Sequence, residues 1–230
     1  MAGSQGGGNR NHRDEPIHPV TRAQRVMFIL GALTLLIALG PPIDDWADHY
    51  LLTAHMAQHL LLMLVAMPLL IAGTPAWLVT KLIKRGSVRP VLYALTRAPV
   101  AFLISSLTIV VWHLPFAYDA ALESEPVHIM EHNLFLLAAF LAWWPVLSRS
   151  PELPGLAPLP SCLYLFAQTI PGGIVGAFIT FAEPGLYEVY PRAERIWGIS
   201  AGTDQQIGGL MMWVLASYAW PSHLDEDRRR

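Results

Sequence analysis

Six apolar stretches dominate the chain, at residues 24–40, 52–73, 98–115, 128–147, 161–181 and 205–220. Crossing a hydrocarbon core of about 30 Å takes roughly 20 apolar residues in helical form. Inside lipid every backbone N–H and C=O must find its partner within its own segment, which forces helix. The first and last stretches are short and draw length from flanking residues. The expected fold class is therefore all-α: a polytopic membrane helix bundle of six transmembrane helices. Composition agrees, because only 14% of the 230 residues are charged and mean hydropathy is +0.40, against about 25% charged in a soluble domain. Nineteen prolines and 17 glycines fit a bundle with short, kinked connections better than a long coiled coil. The one cysteine, Cys162, excludes an internal disulfide, a paired-cysteine redox motif and a thiolate-rich metal site.

Lys and Arg concentrate in alternate connections. Arg10, Arg13, Arg22 and Arg25 precede the first stretch; Lys81, Lys84, Arg85, Arg89 and Arg97 follow the second. Arg149 follows the fourth, and Arg228, Arg229 and Arg230 end the chain. Only Arg192 and Arg195, of the 15 cations, fall on the other side. The positive-inside rule then predicts both termini cytoplasmic. Trp77, Trp143, Trp144 and Trp220 fall near predicted inner ends, and Trp46, Tyr50, Trp112 and Trp197 near outer ones, as interfacial belts would. Basic residues before a short apolar run ending Ala38-Leu39-Gly40 also resemble a signal peptide, but Pro41 argues against cleavage there, so the first span is expected to be retained. Residues 1–16, with Gly6-Gly7-Gly8, are expected to form a disordered tail. Residues 17–220 form a single transmembrane helical domain and 221–230 a charged tail. The connection 182–204, the longest outer one, is expected to fold over the bundle.

Sorting the nine histidines by this topology separates them. His12, His18 and His223 lie in the tails. His49 falls in the first outer loop. His55 and His59 open the second span, His113 closes the third, and His128 and His132 open the fourth. Both pairs are H-x-x-x-H, which puts two rings on one helix face about 6 Å apart along the axis. Neutral imidazole is a good ligand for copper, zinc, iron or nickel. A single interfacial histidine is usually a packing residue, whereas five on three helices at one membrane face point to a metal or heme site. His55, His59, His113, His128 and His132 are the candidate ligands.

Met56, Met63 and Met130 lie near them in sequence, and thioether sulfur favours Cu(I), although each of Met56 and Met130 taken alone reads as packing. Glu131 is placed to orient an imidazole from behind. Asp204, Gln205 and Gln206 at the outer end of the last span either cap that helix, through Thr203 or Asp204, or support the histidines. Glu183 is a cap or part of the site. Gly172, Gly173 and Gly176 after Pro171 form a small-residue face for close helix contact. Cys162 is placed near the cytoplasmic end of its helix and is read as inert.

Three segments together resemble the CtaG family of integral-membrane cytochrome c oxidase assembly factors. They are His55-Met56-Ala57-Gln58-His59 running on to Pro68; Trp112-His113-Leu114-Pro115 with Tyr118-Asp119 and the His128–His132 helix ending Trp143-Trp144-Pro145; and Thr180-Phe181-Ala182 through Trp197-Gly198 to Asp204-Gln205-Gln206 and Gly208-Gly209. The resemblance spans residues 49–216. An unrelated single-span copper chaperone family shares the name but carries a cysteine pair, which this chain lacks. The resemblance implies a role in maturing a heme-copper oxidase by supplying or placing copper, with oxidase subunits as partners in a bacterial cytoplasmic membrane. It also implies that six spans are a shorter version of an architecture to which some members add a helix.

Four functions compete at this level. The first is a non-enzymatic assembly factor that holds copper transiently. The second is a heme b electron-transfer protein using one histidine of each pair as axial ligands. The third is a metal-dependent membrane hydrolase or oxidoreductase with Glu131 or Asp204 as base, disfavoured because no H-E-x-x-H or nucleophile motif is present. The fourth is a structural oxidase subunit. No nucleic-acid partner is expected.

Overall fold

The computed structural model describes residues 19–84 and 88–218. The expectations for both tails, and for His12, His18, His223 and Trp220, lie outside these residues. Among the described residues every regular element is a helix. We number them α1 (Arg22–Ala38), α2 (Ile43–His49), α3 (Leu52–Gly73), α4 (Ala76–Lys84), α5 (Arg89–Leu95), α6 (Ala98–Trp112), α7 (Pro115–Glu123), α8 (Glu125–Leu147), α9 (Pro158–Phe181), α10 (Val189–Arg192) and α11 (Ala201–Tyr218).

Prolines open these helices rather than break them. Pro90, Pro99, Pro115, Pro126 and Pro158 all sit at the first or second helical position, where the missing N–H would have been unpaired anyway. Thr21 starts α1 with a capping box, its hydroxyl accepting from the Gln24 N–H while the Gln24 side chain accepts from the Thr21 N–H.

Long helices α3, α8 and α9 are long and apolar enough to cross a membrane. The number rises to five if α1 with α2, bent by 42°, and α5 with α6, bent by 70°, each count as one broken span. The sixth expected span, α11, does not qualify on composition, because Thr203-Asp204-Gln205-Gln206 occupies its first turns. The first bend falls at Leu39–Pro42, where Pro41 and Pro42 interrupt the helix, and the second at Thr96–Arg97, just ahead of the Pro99 that opens α6.

Packing closes a ring. The first half of α3 lies on α11, α11 on α9, α9 on α6, α6 on α8, and α8 on the second half of α3; α1 covers that second half from outside. Helices α9 and α11 approach each other closely. A Cβ on Gly176 would lie 2.5 Å from the Trp213 backbone nitrogen, and one on Gly209 would lie 2.5 Å from Thr180 Oγ1. Only glycine permits that separation. Gly173, by contrast, has ordinary room.

The middle of α3, Leu61–Ala66, is π-wound. At its end the Met67 N–H reaches back five residues to Leu62 O. The next in that register would be residue 68, which is proline and has no N–H. The Met63 carbonyl it leaves free accepts from Trp143 Nε1–H at 2.8 Å. This corrects the interfacial placement expected for three tryptophans. Trp112, Trp143 and Trp144 are buried, and Trp144 Nε1–H donates to the Leu153 carbonyl at 3.2 Å. Indole rings with a carbonyl in reach are satisfied inside the bundle and have no need of the interface.

Candidate metal centre

One end of the ring collects polar side chains from four helices. Short α2 carries Asp48, the first two turns of α3 carry His55 and His59, His113 follows the last residue of α6, and the first two turns of α8 carry His128, Glu131 and His132. Because α3 and α8 both begin here while α6 ends here, the three histidine-bearing helices meet. Ring centroids of His55 and His59 are 4.3 Å apart, as are those of His128 and His132. Between helices, His55 lies 5.9 Å from His128 and 6.3 Å from His132, while His59 lies 5.4 Å from His132 and 6.1 Å from His113.

Burial at this end is deep and hydrogen bonding is sparse. His55 and Glu131 are wholly buried, and His59, His113 and His132 nearly so. Both ring nitrogens of His55 and His59, Nε2 of His113, His128 and His132, and both Glu131 oxygens have no hydrogen-bond partner in the protein. His113 Nδ1 does pair, with the Ile109 carbonyl at 2.8 Å. His128 Nδ1 lies 3.5 Å from Asp48 Oδ2, and His59 Nε2 lies 4.0 Å from Glu131 Oε1, too long for a hydrogen bond. Buried polar atoms are almost always paired, and leaving one unmade costs about 1–3 kcal/mol. So many together, on residue types that ligate metals, fit a bound cation better than a packed core.

Two triplets bring donor atoms close enough to share an ion. Donor atoms of Asp48, His55 and His128 lie within 4.8 Å of one another, and so do those of His55, His59 and Glu131. Above them opens a polar cleft of about 570 Å³, lined by Asp44, Asp48, His49, Glu125, His128 and His132. Below them is an apolar cavity of about 100 Å³ that includes Met56, His59, Met63, His113, Phe135 and Met212.

A family model described as cytochrome c oxidase caa3 assembly factor (Caa3_CtaG) matches residues 7–220. The chain belongs to that family. No curated protein and no solved structure matches it.

Around the cluster, this assembly-factor chain uses its other expected residues differently from one another. Asp204 is wholly buried and caps a helix other than its own: its carboxylate accepts from the Leu52 N–H at 2.8 Å and the Thr53 N–H at 2.9 Å, at the start of α3. The cap of α11 itself is Ser200, whose hydroxyl accepts from the Thr203 N–H, so neither Thr203 nor Asp204 serves there. Gln205 clips the C-terminal end of α9. Its oxygen accepts from the Gly185 and Leu186 N–H groups, and its amide donates to the carbonyls of Ile179, Ala182 and Glu183. Gln206 and Glu183 are exposed and take no part in the cluster. Met56 packs with Leu52 and Tyr118 in a buried core, and Met130 is 49% exposed, on the outside of the bundle.

Three participants escaped the sequence reading. Asp48 had a faint signal in the run Asp44-Asp45-x-x-Asp48, passed over for its neighbour His49, which is exposed and bonds the Asp45 carbonyl. Tyr187 and Tyr190 belong to the connection 182–204, which does fold over the cluster. Tyr187 stacks on Tyr118 at 3.9 Å and donates to the His113 carbonyl. Tyr190 donates to the Ala47 carbonyl and bonds the Tyr118 hydroxyl at 2.8 Å. Tyr118 in turn lies 4.9 Å from the His55 ring. Burial raises the pKa of both loop tyrosines, so they act as neutral hydrogen bonders.

Proposed function

We propose that this oxidase assembly factor carries copper as its cargo, held by the histidine cluster at the outer face of a bacterial cytoplasmic membrane and released to an oxidase subunit. The observation that carries this reading is the convergence of buried, unpaired imidazole and carboxylate atoms in two ligand-ready triplets. Nitrogen and oxygen donors with no sulfur in either triplet suit Cu(II) among the copper ions, with zinc as the competitor. An open cleft beside the cluster suits exchange, which a carrier needs and a closed structural site lacks. The cation distribution supports six spans with both termini cytoplasmic, which sets the histidines outside. On this reading α11 crosses the membrane with its polar first turns buried against α3 and α9.

Copper is favoured over heme b by the spacing of the rings. Histidines whose centroids are 4.3–6.3 Å apart can share one ion, whereas a porphyrin between any two would have to drive the others aside. Purified protein loaded with copper should hold about one ion per chain. A variant carrying His55→Ala and His132→Ala should hold almost none, while a Soret band in the absorption spectrum would transfer the site to heme. Unchanged copper content in the double variant would remove the proposed ligands. Normal oxidase assembly in cells whose chain lacks all five histidines would favour the purely structural role.

A further inference from the structure

His55 belongs to both ligand triplets, and this has consequences for how a cargo ion moves. The outer triplet adds Asp48 and His128, whose side chains are 24% and 12% exposed and line the cleft. The inner triplet adds His59 and Glu131, at 5% and 1%, and neither residue lines the cleft. Along the sequence the inner donors sit about one helical turn deeper, four residues on in α3 and three residues on in α8, a rise of about 5 Å. Both triplets contain the same chemistry, two imidazoles and one carboxylate, so neither is much the stronger by donor type.

We infer that the cluster is a two-position relay for one copper ion, resting on the copper reading above. A neutral imidazole has a hydrogen on one nitrogen and a lone pair on the other. His55 therefore serves one position at a time, and the two positions are alternatives, not a binuclear centre. Both of its nitrogens are free of protein partners, so neither tautomer is fixed by a hydrogen bond. Asp48 and His128 capture the ion from the cleft and release it there. Passing the ion inward needs no new ligand type. His55 keeps its place in the ligand set while His59 and Glu131 replace His128 and Asp48. The inner position stores the ion away from the cleft, and the outer one opens onto it.

The two carboxylates give the test, because their removal should act in opposite directions. Copper-loaded protein in detergent is challenged with a soluble copper chelator, and the extraction rate and metal content are measured. Wild type is expected to hold one ion. Asp48→Asn should still hold it but load and lose it about tenfold more slowly, and Glu131→Gln should hold it but lose it about tenfold faster. The double variant should bind almost none. X-ray absorption should show an oxygen ligand in each single variant. Two ions in wild type, an empty single variant, or extraction rates that move the same way would overturn the relay. A wild type that binds one ion while the single variants behave alike sinks the relay and leaves the copper reading standing; a wild type that binds none sinks both. Misfolding cannot imitate the expected result, since it would not slow one variant and speed the other.

Discussion

The two ends of the bundle treat buried polar atoms in opposite ways. At the end formed by Trp143, Trp144, Tyr164 and Leu153, most buried polar groups are paired, Trp77 Nε1 being an exception. Trp143 and Trp144 reach carbonyls, Gln168 bonds Tyr164 and Ser105, and Thr80 donates to Glu152. At the histidine end, unpaired buried atoms occur on Asp48, Gln58, Glu131 and the five histidines. Elsewhere they are scattered, as at Trp77 Nε1 and Ser106 Oγ. One end is therefore built to minimise its own energy. The other keeps donors available at a cost in stability, which an arriving cation would offset.

Substitutions should separate the two ends. The largest effect is expected at the paired end from Trp143→Phe, which strips the Met63 carbonyl of its partner beside Pro68. Unfolding of the copper-free protein in detergent should be easier by about 1–3 kcal/mol, with copper content per folded chain unchanged. A copper loss as large as the stability loss would mean that the ends are not independent. The next effect has the opposite sign. Glu131→Met replaces a buried, unpaired carboxyl by an apolar group of similar size. Copper-free protein should gain about 1–2 kcal/mol, while the copper it binds becomes easier to extract. A Glu131→Met protein less stable than wild type without copper would show that Glu131 is structural after all, and the contrast would fail.

Much of this contrast was written in helical periodicity, at about 100° per residue. His128, Glu131 and His132 share one side of α8, whereas Met130 lies about 200° round from His128, which is why it is exposed while its neighbours are not. Asp204 and Gln205 turn inward and Gln206, about 200° from Asp204, turns out for the same reason. Hydropathy placed 52–73 where α3 runs, and placed α8 and α9 to within three residues at their starts. It could not show the bends at 39–42 and 96–97, because apolar content is indifferent to direction. Asp48, Tyr187 and Tyr190 were hidden for a different reason. They sit on short elements with no periodicity, and their partners Ala47, Tyr118 and His113 come close only once the ring of helices has closed.

Asp204 tests the boundary between the two regimes, since it is buried and fully paired, yet it caps Leu52, three residues ahead of His55. Its two oxygens cap two successive N–H groups at the start of α3, and the Thr53 hydroxyl donates back to its carbonyl. A carboxylate at a helix N-terminus also meets the positive end of the helix dipole. Asp204→Asn keeps the shape but leaves one oxygen to serve both N–H groups and removes the charge. The expected cost is about 1 kcal/mol in unfolding free energy. If Asp204 acts only by fixing where α3 begins, copper should bind a few-fold more weakly with its ligand set unchanged by X-ray absorption. A lost oxygen ligand in that spectrum would place Asp204 inside the coordination shell, and the histidine end would then draw on a paired carboxylate as well as unpaired ones.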